Sequence, residues 1–338
     1  MTKKVNTLFI AFFSFVMWIQ GMSQNPVEPF QGRWALYLPG GAGWLEVKQA
    51  DGFIDASLLM YGGSVEPCAH AYMDGQVLVV TRLRKWGPPT DKDGNPIRQQ
   101  VGTELNRFTF YGDQLVGEMI SPEKDGKSKT TRFTGKKIPD LPSVPDLTKV
   151  TFGKPIQIFS GKDLSGWKLT RDNAVNGWKV MDGVLVNNPI QEEGKPHINY
   201  GNLKTEQEFE DFNLKLQVNV PTGSNSGIYL RGIYEVQVAD TYNKPLDSHN
   251  MGAIYSRITP SVAAEKPAGS WQDLDITLCN RYVTIVLNGK KIIDNQPLLG
   301  CTGGALTADE FRPGPIYLQG DHGTVSYRNI ILTPIVKK

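Results

Sequence analysis

The sequence predicts an all-β protein of two domains, and three observations lead to this prediction. The 338 residues exceed one typical domain of about 150 residues, and 40% of them are hydrophobic, enough for a buried core. The 35 Gly and 22 Pro residues, with 10% aromatic residues, favour a turn-rich β protein over a helical one. Short segments that alternate apolar and polar residues recur along both halves of the chain.

The first 23 residues have the pattern of a secretory signal peptide. Lys3 and Lys4 precede an apolar segment, Leu8–Ile19, which is followed by Gly21 and Ser23. A basic start, an apolar segment and small residues make up a cleavable leader, and this apolar segment is short for a membrane span. We therefore expect cleavage near Ser23 and an exported, soluble chain, periplasmic or extracellular, that is not embedded in a membrane.

Residues 24–137 form the first predicted domain, a small antiparallel β-barrel or β-sandwich. Its segments are rich in β-branched and aromatic residues and are divided by glycine-containing turns, of which Tyr111–Gln114 indicates a hairpin. No motif predicts the role of this domain. The predicted strands are Arg33–Leu38, Gly43–Val47, Phe53–Met60, Gln76–Arg84, Leu105–Tyr111, Gln114–Ile120 and Thr131–Thr134.

A proline-rich linker over residues 138–152 separates the first domain from the second, 153–338, because closely spaced prolines favour an extended spacer. About ten strands in the second domain predict two packed sheets of jelly-roll type. Asn288-Gly289 is the strongest hairpin signal, and Thr307–Phe311 is predicted as a helical turn. The predicted strands are Trp178–Val186, Phe212–Val220, Ser226–Arg231, Tyr234–Ala239, Gly252–Ser256, Trp271–Leu278, Tyr282–Leu287, Lys290–Ile293, Ile316–Gln319 and Thr324–Leu332.

Charge and motifs exclude several classes of function. Without Lys3 and Lys4, the 34 remaining Lys and Arg residues equal the 34 Asp and Glu residues, and a neutral chain disfavours nucleic acid as a partner. The sequence has no GxSxG motif and no Gly-rich phosphate loop before a helix, which argues against a nucleotide cofactor. Cys68, Cys279 and Cys301 contain no CxxC pair, so buried apolar thiols are expected.

Alternation along three predicted strands separates a core face from a polar face. Ile228, Leu230 and the apolar residues of the other two strands share one face, and aromatic, amide and charged residues share the other. Such a face suits a sugar, because rings stack on its C–H groups and polar groups bind its hydroxyls. A solvent-facing sheet would show the same alternation. The polar set is Tyr229, Arg231, Glu235, Gln237, Tyr317 and Gln319, and His322 follows on the next turn.

A series of motifs in the second domain resembles the DUF1080 family, now described as 3-keto-disaccharide hydrolases, 3-keto-glucoside 1,2-lyases and 3-keto-2-hydroxyglucal hydratases. The resemblance covers about residues 153–336, and the order of the motifs is more specific than any single one. The family has a concanavalin A-like jelly-roll fold. The motifs are Phe159–Trp167, Gly177–Leu185, Asn225–Gly232, Tyr234–Val238, Gly252–Tyr255, Lys266–Trp271, Val286–Gly289, Gly314–Gly323 and Tyr327–Ile330.

The resemblance implies cleavage of a 3-keto-glycoside. The 3-ketone acidifies the C2 proton, a base removes it, and the C1 substituent leaves by β-elimination; adding water completes a net hydrolysis. We expect Glu235 and His322 as the catalytic base and acid, and each is also a candidate ligand for a divalent metal ion that would stabilise the enolate. The expected sugar-binding residues are Tyr229, Arg231, Gln237, Asp240, Tyr255 and Gln319.

Two other functions stay open at this point. A two-carboxylate glycoside hydrolase would place a second acid near Glu235, but the next residue on that face is the amide Gln237. A non-catalytic carbohydrate-binding module would need only the aromatic and amide groups. Whichever function holds, the first domain could be an accessory sugar binder, a lid over the cleft or an oligomerisation surface.

Overall fold

The structure, a computed structural model, describes residues 25–123 and 125–337, so the predicted signal peptide at 1–23 lies outside the described residues. Apart from one short 3-10 helix, Glu28–Phe30, the regular elements of this part of the chain are β-strands. The predicted all-β class is confirmed. None of the described residues form a helix long and apolar enough to cross a membrane.

The first nine strands form one antiparallel sheet, in the order β4-β3-β2-β1-β9-β8-β7-β6-β5. The sheet curls until β3 lies against β5, and it encloses Leu36, Leu45, Leu58 and Phe108 as a core of its own. Sequence analysis missed the two short strands that close the barrel, β4 and β5. The strands are β1 Gly32–Leu38, β2 Gly41–Ala50, β3 Phe53–Met60, β4 Glu66–Pro67, β5 His70–Asp74, β6 Val77–Trp86, β7 Gln100–Tyr111, β8 Gln114–Pro122 and β9 Ser128–Lys137.

The remaining strands form a sandwich of two antiparallel sheets. The larger has the order β13-β14-β23-β16-β19-β20-β21, with β10 and β11 pairing with β23; the smaller has the order β12-β15-β22-β17-β18. These strands are β10 Thr151–Phe152, β11 Ile156–Gln157, β12 Trp167–Leu169, β13 Trp178–Met181, β14 Val184–Asn187, β15 Leu203–Phe209, β16 Phe212–Asn219, β17 Asn225–Leu230, β18 Tyr234–Ala239, β19 Trp271–Cys279, β20 Tyr282–Leu287, β21 Lys290–Pro297, β22 Gly314–Leu318 and β23 Val325–Lys337.

The chain crosses repeatedly between these two sheets, which makes the sandwich a jelly roll, as predicted. β15 belongs to the smaller sheet, whereas its chain neighbours β14 and β16 belong to the larger one; β22 and β23 are divided in the same way. Leu214, Ile276, Ile228 and Val236 fill the space between the sheets, and all four are fully buried. The alternation therefore identified the core face of β17 and β18 correctly.

Two predicted hairpins are confirmed and two other elements are wrong. Asn288 and Gly289 have φ angles of 50° and 80°, the left-handed pair that a two-residue hairpin turn requires. Tyr111–Gln114 likewise joins β7 to β8. Gly252–Ser256 is a turn with isolated bridges rather than a strand. Thr307–Phe311 is not helical, because side-chain oxygens in this segment accept the amide hydrogens that a helix would need.

The linker is bound to the sandwich rather than acting as a free spacer. Ile138 is buried in the sandwich core, and Arg281 donates to the carbonyl oxygens of Pro139 and Asp140 at 3.0 and 2.7 Å. Trp44 and Leu59 of the barrel join the same core. The barrel and the sandwich therefore share a continuous apolar contact.

The expectation of buried apolar thiols holds for two of the three cysteines. Cys279 and Cys301 are buried in the sandwich, whereas Cys68 of the barrel is half-buried. Burial raises the pKa of the Cys301 and Cys68 thiols to about 12. Thiols with so high a pKa are poor nucleophiles at neutral pH.

Candidate active site

A small pocket opens on the outer face of the smaller sheet, where β17, β18 and the end of β22 lie side by side. Its volume is about 160 Å³, below the roughly 300–1,000 Å³ of pockets for drug-sized ligands. This volume suits one sugar ring better than several. The pocket is lined by Gly62, Gly63, Asn225, Tyr229, Glu235, Gln237, Tyr255, Gly303, Gly304, Gln319 and His322.

Strand register brings Glu235 into this pocket. Tyr229 pairs with Glu235 and Gly227 with Gln237, so these side chains share the face opposite the apolar core. A side chain at Gly227 would not fit, because its Cβ would lie 2.3 Å from Glu235 Oε1. Glycine at 227 therefore makes room for the carboxyl group over the sheet.

Burial gives Glu235 the electrostatics of an acid–base group. Its side chain is only 3% exposed, and desolvation raises the pKa of its carboxyl to about 8. The hydrogen bond from Tyr229 and the charge of His322 lower this pKa, and the charge of Asp321 raises it, but burial dominates. A carboxyl group with a pKa near 8 is a stronger base than an ordinary glutamate and can exchange protons near neutral pH.

The Tyr229 hydroxyl couples Glu235 to the backbone at Gly303. Its oxygen lies 2.8 Å from Glu235 Oε2 and 2.7 Å from the Gly303 carbonyl oxygen. A carbonyl only accepts, and a tyrosine has a single hydroxyl hydrogen. When Tyr229 donates to Gly303, a protonated Glu235 donates to Tyr229; when Glu235 is ionised, Tyr229 donates to it instead. Ionising Glu235 therefore costs the hydrogen bond at Gly303.

His322 lies on the turn after β22 and is paired with the residue before it. Its Nδ1 is 2.8 Å from Asp321 Oδ1, and its side chain is 52% exposed. The hydrogen bond to Asp321 raises the pKa of His322, with a further contribution from Glu235 and against a smaller effect of burial. Asp321 thus favours the protonated imidazole of His322, which lines the same pocket as Glu235. Asp321, which directly precedes His322, is a residue to which sequence analysis gave no role.

Aromatic and amide groups complete the pocket. Tyr317 stacks on Tyr229 with ring centroids 4.2 Å apart and an interplanar angle of 18°. Asn225 Oδ1 and Gln319 Oε1 are buried and have no hydrogen-bond partner among the residues that the structure describes. Buried acceptors without partners are costly, so both call for a donor from a ligand or a water. Sugar hydroxyls are such donors.

Arg231 and Asp240 do not reach the pocket, contrary to expectation. β17 ends at Leu230, and Arg231 has a φ of 56°, so the alternation of the strand stops before it. Its guanidinium donates to the carbonyl oxygens of Glu310, at 3.0 Å, and Arg312. Asp240 follows the last residue of β18 and accepts a hydrogen bond from the Gly223 amide at 2.9 Å.

The pocket also contains residues that sequence analysis missed. Period-2 alternation could have identified Asn225, since it shares a face with Gly227 and Tyr229. Gly62, Gly63 and Gly303 lie in loops, where no periodic pattern indicates which way the chain turns. The other six predicted residues, Tyr229, Glu235, Gln237, Tyr255, Gln319 and His322, all line the pocket.

Comparison with known proteins assigns the sandwich to a family. A family profile described as a 3-keto-alpha-glucoside-1,2-lyase-like domain matches residues 154–333, more than half of the 338-residue chain. The chain belongs to the 3-keto-alpha-glucoside-1,2-lyase-like family. The resemblance seen in the sequence motifs is thereby confirmed, and the family domain coincides with the sandwich and leaves the barrel outside the match.

Individual relatives of the family domain are more distant. The chain is 26% identical to a 3-keto-disaccharide hydrolase of Bacteroides thetaiotaomicron over 166 residues, which are 41% of this chain and 57% of that relative. A solved structure from Parabacteroides distasonis, provisionally assigned as a glycosyl hydrolase, is 31% identical, with a TM-score of 0.45 over 58% of this chain and 93% of that one. A second from that organism is 21% identical, with a TM-score of 0.43 over 54% and 94% of the two chains.

The side chains around Glu235 and His322 do not form a recognisable metal site in the family domain. The described residues contain no group of three or more His, Cys, Asp or Glu side chains that could hold a metal ion. Glu235 is also paired with Tyr229, and His322 directs its Nδ1 at Asp321. We therefore derive no step through a metal ion, and the divalent metal stays a prediction.

The raised pKa of Glu235 predicts a pH-dependent loss of stability in the family domain. Folding favours the protonated carboxyl, so this contribution is complete below pH 4.5, the ordinary pKa, and is lost as the pH rises to about 8. Relative to Glu235→Gln, the free energy of unfolding of the wild type should fall by roughly 1.4 kcal/mol per pH unit across that window.

Urea unfolding of both proteins at pH 5, 7 and 9 measures this difference. Glu193→Gln, which removes an exposed carboxyl, is the control and should follow the wild type within about 0.5 kcal/mol at each pH. A constant difference between Glu235→Gln and the wild type from pH 5 to 9 would contradict the buried, protonated carboxyl.

Proposed function

We propose that this protein is an exported carbohydrate-active enzyme that cleaves 3-keto-glycosides by removing the C2 proton and eliminating the C1 substituent. The observation that carries the proposal is a buried carboxyl group, Glu235, in a pocket of about 160 Å³ that is also lined by a half-exposed histidine and by Asn225 and Gln319, whose amide oxygens are buried without a partner among the described residues. Membership of the 3-keto-alpha-glucoside-1,2-lyase-like family supports the class of substrate.

In this proposal Glu235 is the base. A 3-ketone makes the C2 proton acidic because the resulting carbanion is an enolate, and a base with a pKa near 8 is well matched to such a proton at neutral pH. Tyr229 donates a hydrogen bond to the ionised carboxylate and returns to Gly303 once the proton has been taken up. The hydroxyl hydrogen of Tyr229 thus follows the charge of Glu235, and the base is restored when its proton is lost to solvent or returned to C2 as water is added to the product.

His322 is the proposed acid. The hydrogen bond to Asp321 raises the pKa of His322 and so favours the protonated imidazole, and Nε2 is the ring nitrogen left to face the ligand, because Nδ1 is bound to Asp321. A proton given to the departing C1 oxygen completes the β-elimination and leaves a 3-keto-2-hydroxyglucal. Addition of water to this product yields the free 3-keto sugar.

An amide group is the proposed stabiliser of the enolate oxygen. Gln237 Oε1 accepts a hydrogen bond from the Val238 amide at 3.1 Å, which leaves the amide N–H groups of Gln237 to donate into the pocket. A fixed donor aimed at developing negative charge is a large source of catalysis in a pocket that excludes water. Asn225 and Gln319 would hold the sugar hydroxyls.

A two-carboxylate glycoside hydrolase is the second candidate, because burial raises the pKa of Glu235 whereas His322 holds that of Asp321 low. Two carboxyl groups with divergent pKa values are typical of glycosidases. Asp321, however, does not line the pocket, and its carboxylate is hydrogen-bonded to His322. We therefore favour the 3-keto substrate.

Product analysis separates these functions. The purified protein is incubated in heavy water with a 3-keto-glucoside and, separately, with the matching unoxidised glucoside, with and without a chelator. Cleavage of the 3-keto substrate alone, with deuterium at C2 of the product, is the expected result. Cleavage of the unoxidised glucoside would support the two-carboxylate alternative, and binding without cleavage a carbohydrate-binding module. Loss of activity with the chelator would support the predicted metal.

Export is part of the same proposal and rests on the leader sequence at residues 1–23. Mass spectrometry of the protein isolated from its host should find a mature chain that begins at Gln24. A chain that retains Met1–Ser23 would contradict cleavage.

A further inference from the structure

We propose that a loop of the N-terminal barrel, Tyr61–Val65, is the specificity-determining wall of the sugar pocket, so that only a terminal sugar ring fits. The inference deepens the proposed function and rests on it for the identity of the sugar. It also gives the barrel, which lies outside the family match, a direct part in substrate selection. We refer to residues 61–65 as the wall loop.

The wall loop is held in place by three hydrogen bonds to two segments of the sandwich, the Gly303–Gly304 segment and the turn over residues 248–256. The Gly304 amide donates to the Tyr61 carbonyl oxygen at 3.0 Å, and the Val65 amide donates to Ser256 Oγ at 3.0 Å. Ser64 Oγ lies 3.1 Å from His249 Nε2. A loop fixed at both ends and in the middle behaves as a rigid wall rather than as a mobile flap.

Backbone contact between two glycines seals the wall loop against the sandwich. A Cβ atom at Gly303 would lie 2.1 Å from the Gly63 carbonyl oxygen. The backbones of the two loops are therefore too close for any side chain at Gly303. Gly63 itself has a φ of 78°, a conformation that favours glycine. At this contact the two loops leave no room for a ligand to pass between them.

The wall loop lies beyond Tyr229, at the end of the pocket away from His322. Gly303 accepts from Tyr229 near the end of β17, the Glu235 carboxyl lies over Gly227 in the middle of that strand, and Asn225, which begins the strand, is packed against Gly323, beside His322. Four residues of strand separate Asn225 from Tyr229, roughly 13 Å. The pocket thus runs from a half-exposed end at His322 to a closed end at the wall loop.

This direction sets the orientation of the substrate. The group that leaves from C1 must lie toward His322, where the side chain reaches solvent, and the rest of the ring points to the wall loop. A further sugar on that side of the ring would collide with the Gly63–Gly303 contact. The enzyme should therefore act on the terminal ring of its substrate and reject the same ring when it carries a sugar at O4.

The wall loop also positions a second side of the pocket. His249, which contacts Ser64, packs edge-on against the Tyr255 ring, with centroids 5.0 Å apart and an interplanar angle of 87°. The backbone amide of Tyr255 donates to the Glu235 carbonyl oxygen at 3.0 Å. One loop of the barrel thus supports both Tyr255 and the Gly303–Gly304 segment around the base.

Gly62 offers a way to test the wall without disturbing these contacts. It lines the pocket, its φ lies outside the left-handed region, and a Cβ added there meets no atom within 4 Å. Gly62→Trp should therefore fold normally and narrow the pocket. Asp51→Trp is the matched control, because Asp51 is exposed and lies beyond the opposite end of β3, roughly 25 Å away.

The experiment measures calorimetric binding of 3-keto-glucose, and KM and kcat for a 3-keto-glucoside with and without a sugar at O4. We expect Gly62→Trp to weaken binding and raise KM at least 10-fold with an unchanged melting temperature, Asp51→Trp to match the wild type, and the O4-extended substrate to be inert. If Gly62→Trp and the wild type bind 3-keto-glucose with equal affinity, or if the O4-extended substrate is turned over, the wall loop does not determine specificity. If the wild type binds 3-keto-glucose but turns over neither glucoside, the proposed enzymatic activity is wrong. The role of the wall loop is still tested in that case, by comparing the affinities of the wild type and Gly62→Trp for 3-keto-glucose.

Discussion

Glu235→Gln is expected to lower kcat for a 3-keto-glucoside by about 10²–10⁴-fold, the range that a positioned general base contributes. Gln keeps the shape of the side chain and can still accept from Tyr229, but it cannot take up the C2 proton. KM should change little, because Asn225, Gln237 and Gln319 still line the pocket. Initial rates at pH 8, where the wild-type carboxyl is half ionised, measure the effect.

Glu265→Gln is the matched control for this substitution. Glu265 is a half-buried carboxyl whose pKa, like that of Glu235, is raised by desolvation, but it accepts a hydrogen bond from Thr241 and does not line the pocket. Its removal should leave kcat within about twofold of the wild type, in line with the small effects of substitutions away from a site. Turnover by Glu235→Gln at a rate similar to that of Glu265→Gln would show that Glu235 is not the base. The deuterium content at C2 of any residual product reports whether another group still abstracts that proton.

Trp44→Ala is expected to destabilise the protein by about 3–5 kcal/mol, the usual cost of removing a buried aromatic side chain. Trp44 belongs to β2 of the barrel but is buried in the core of the sandwich. Its indole N–H donates to the Leu299 carbonyl oxygen at 2.8 Å, and the Arg257 guanidinium lies 4.5 Å from the ring centroid. A Cβ at Gly300 would come within 2.2 Å of the indole, so the fit leaves little room for other side chains.

Trp271→Ala is the control, since Trp271 also lies under an arginine, with Arg328 4.0 Å from its ring, but within the sandwich and half-buried. It should cost less, about 1–2 kcal/mol, because a half-exposed ring leaves a smaller cavity and loses a modest cation–π contact. Denaturant unfolding measures the free energy of unfolding of both variants and of the wild type. Equal losses for the two variants would mean that the contact between barrel and sandwich adds little to stability.

Local patterns in the sequence were enough to predict much of the site. The alternation of Tyr229, Glu235 and Gln237 against Ile228 and Val236 follows from the pleat of a strand, in which neighbouring side chains point to opposite faces. The turn at Asn288-Gly289 could be predicted because an Asn-Gly pair readily adopts the left-handed backbone that a two-residue hairpin requires. Such features depend on two to four consecutive residues and need no knowledge of the rest of the chain.

Arg231 shows where this local reasoning stops. The alternation assigned it to the face of Tyr229, but the strand ends one residue earlier and the turn directs its guanidinium toward the carbonyl oxygens of Glu310 and Arg312. The end of a strand is decided by the segments that pack on it, and those segments lie about 80 residues away in the sequence. The predicted helical turn at Thr307–Phe311 fails for a related reason, because side chains there satisfy the backbone amides locally.

Composition and alternation were enough to predict two β domains, the core face of β17 and β18, and six of the residues that line the pocket. These patterns could not predict that the polar face is covered: Glu235 is 3% exposed, and the wall loop and the Gly303–Gly304 segment line the pocket around it. The physical reason is that a period-2 pattern records which residues share a face, whereas burial, and with it the pKa near 8, depends on contacts between loops more than 100 residues apart.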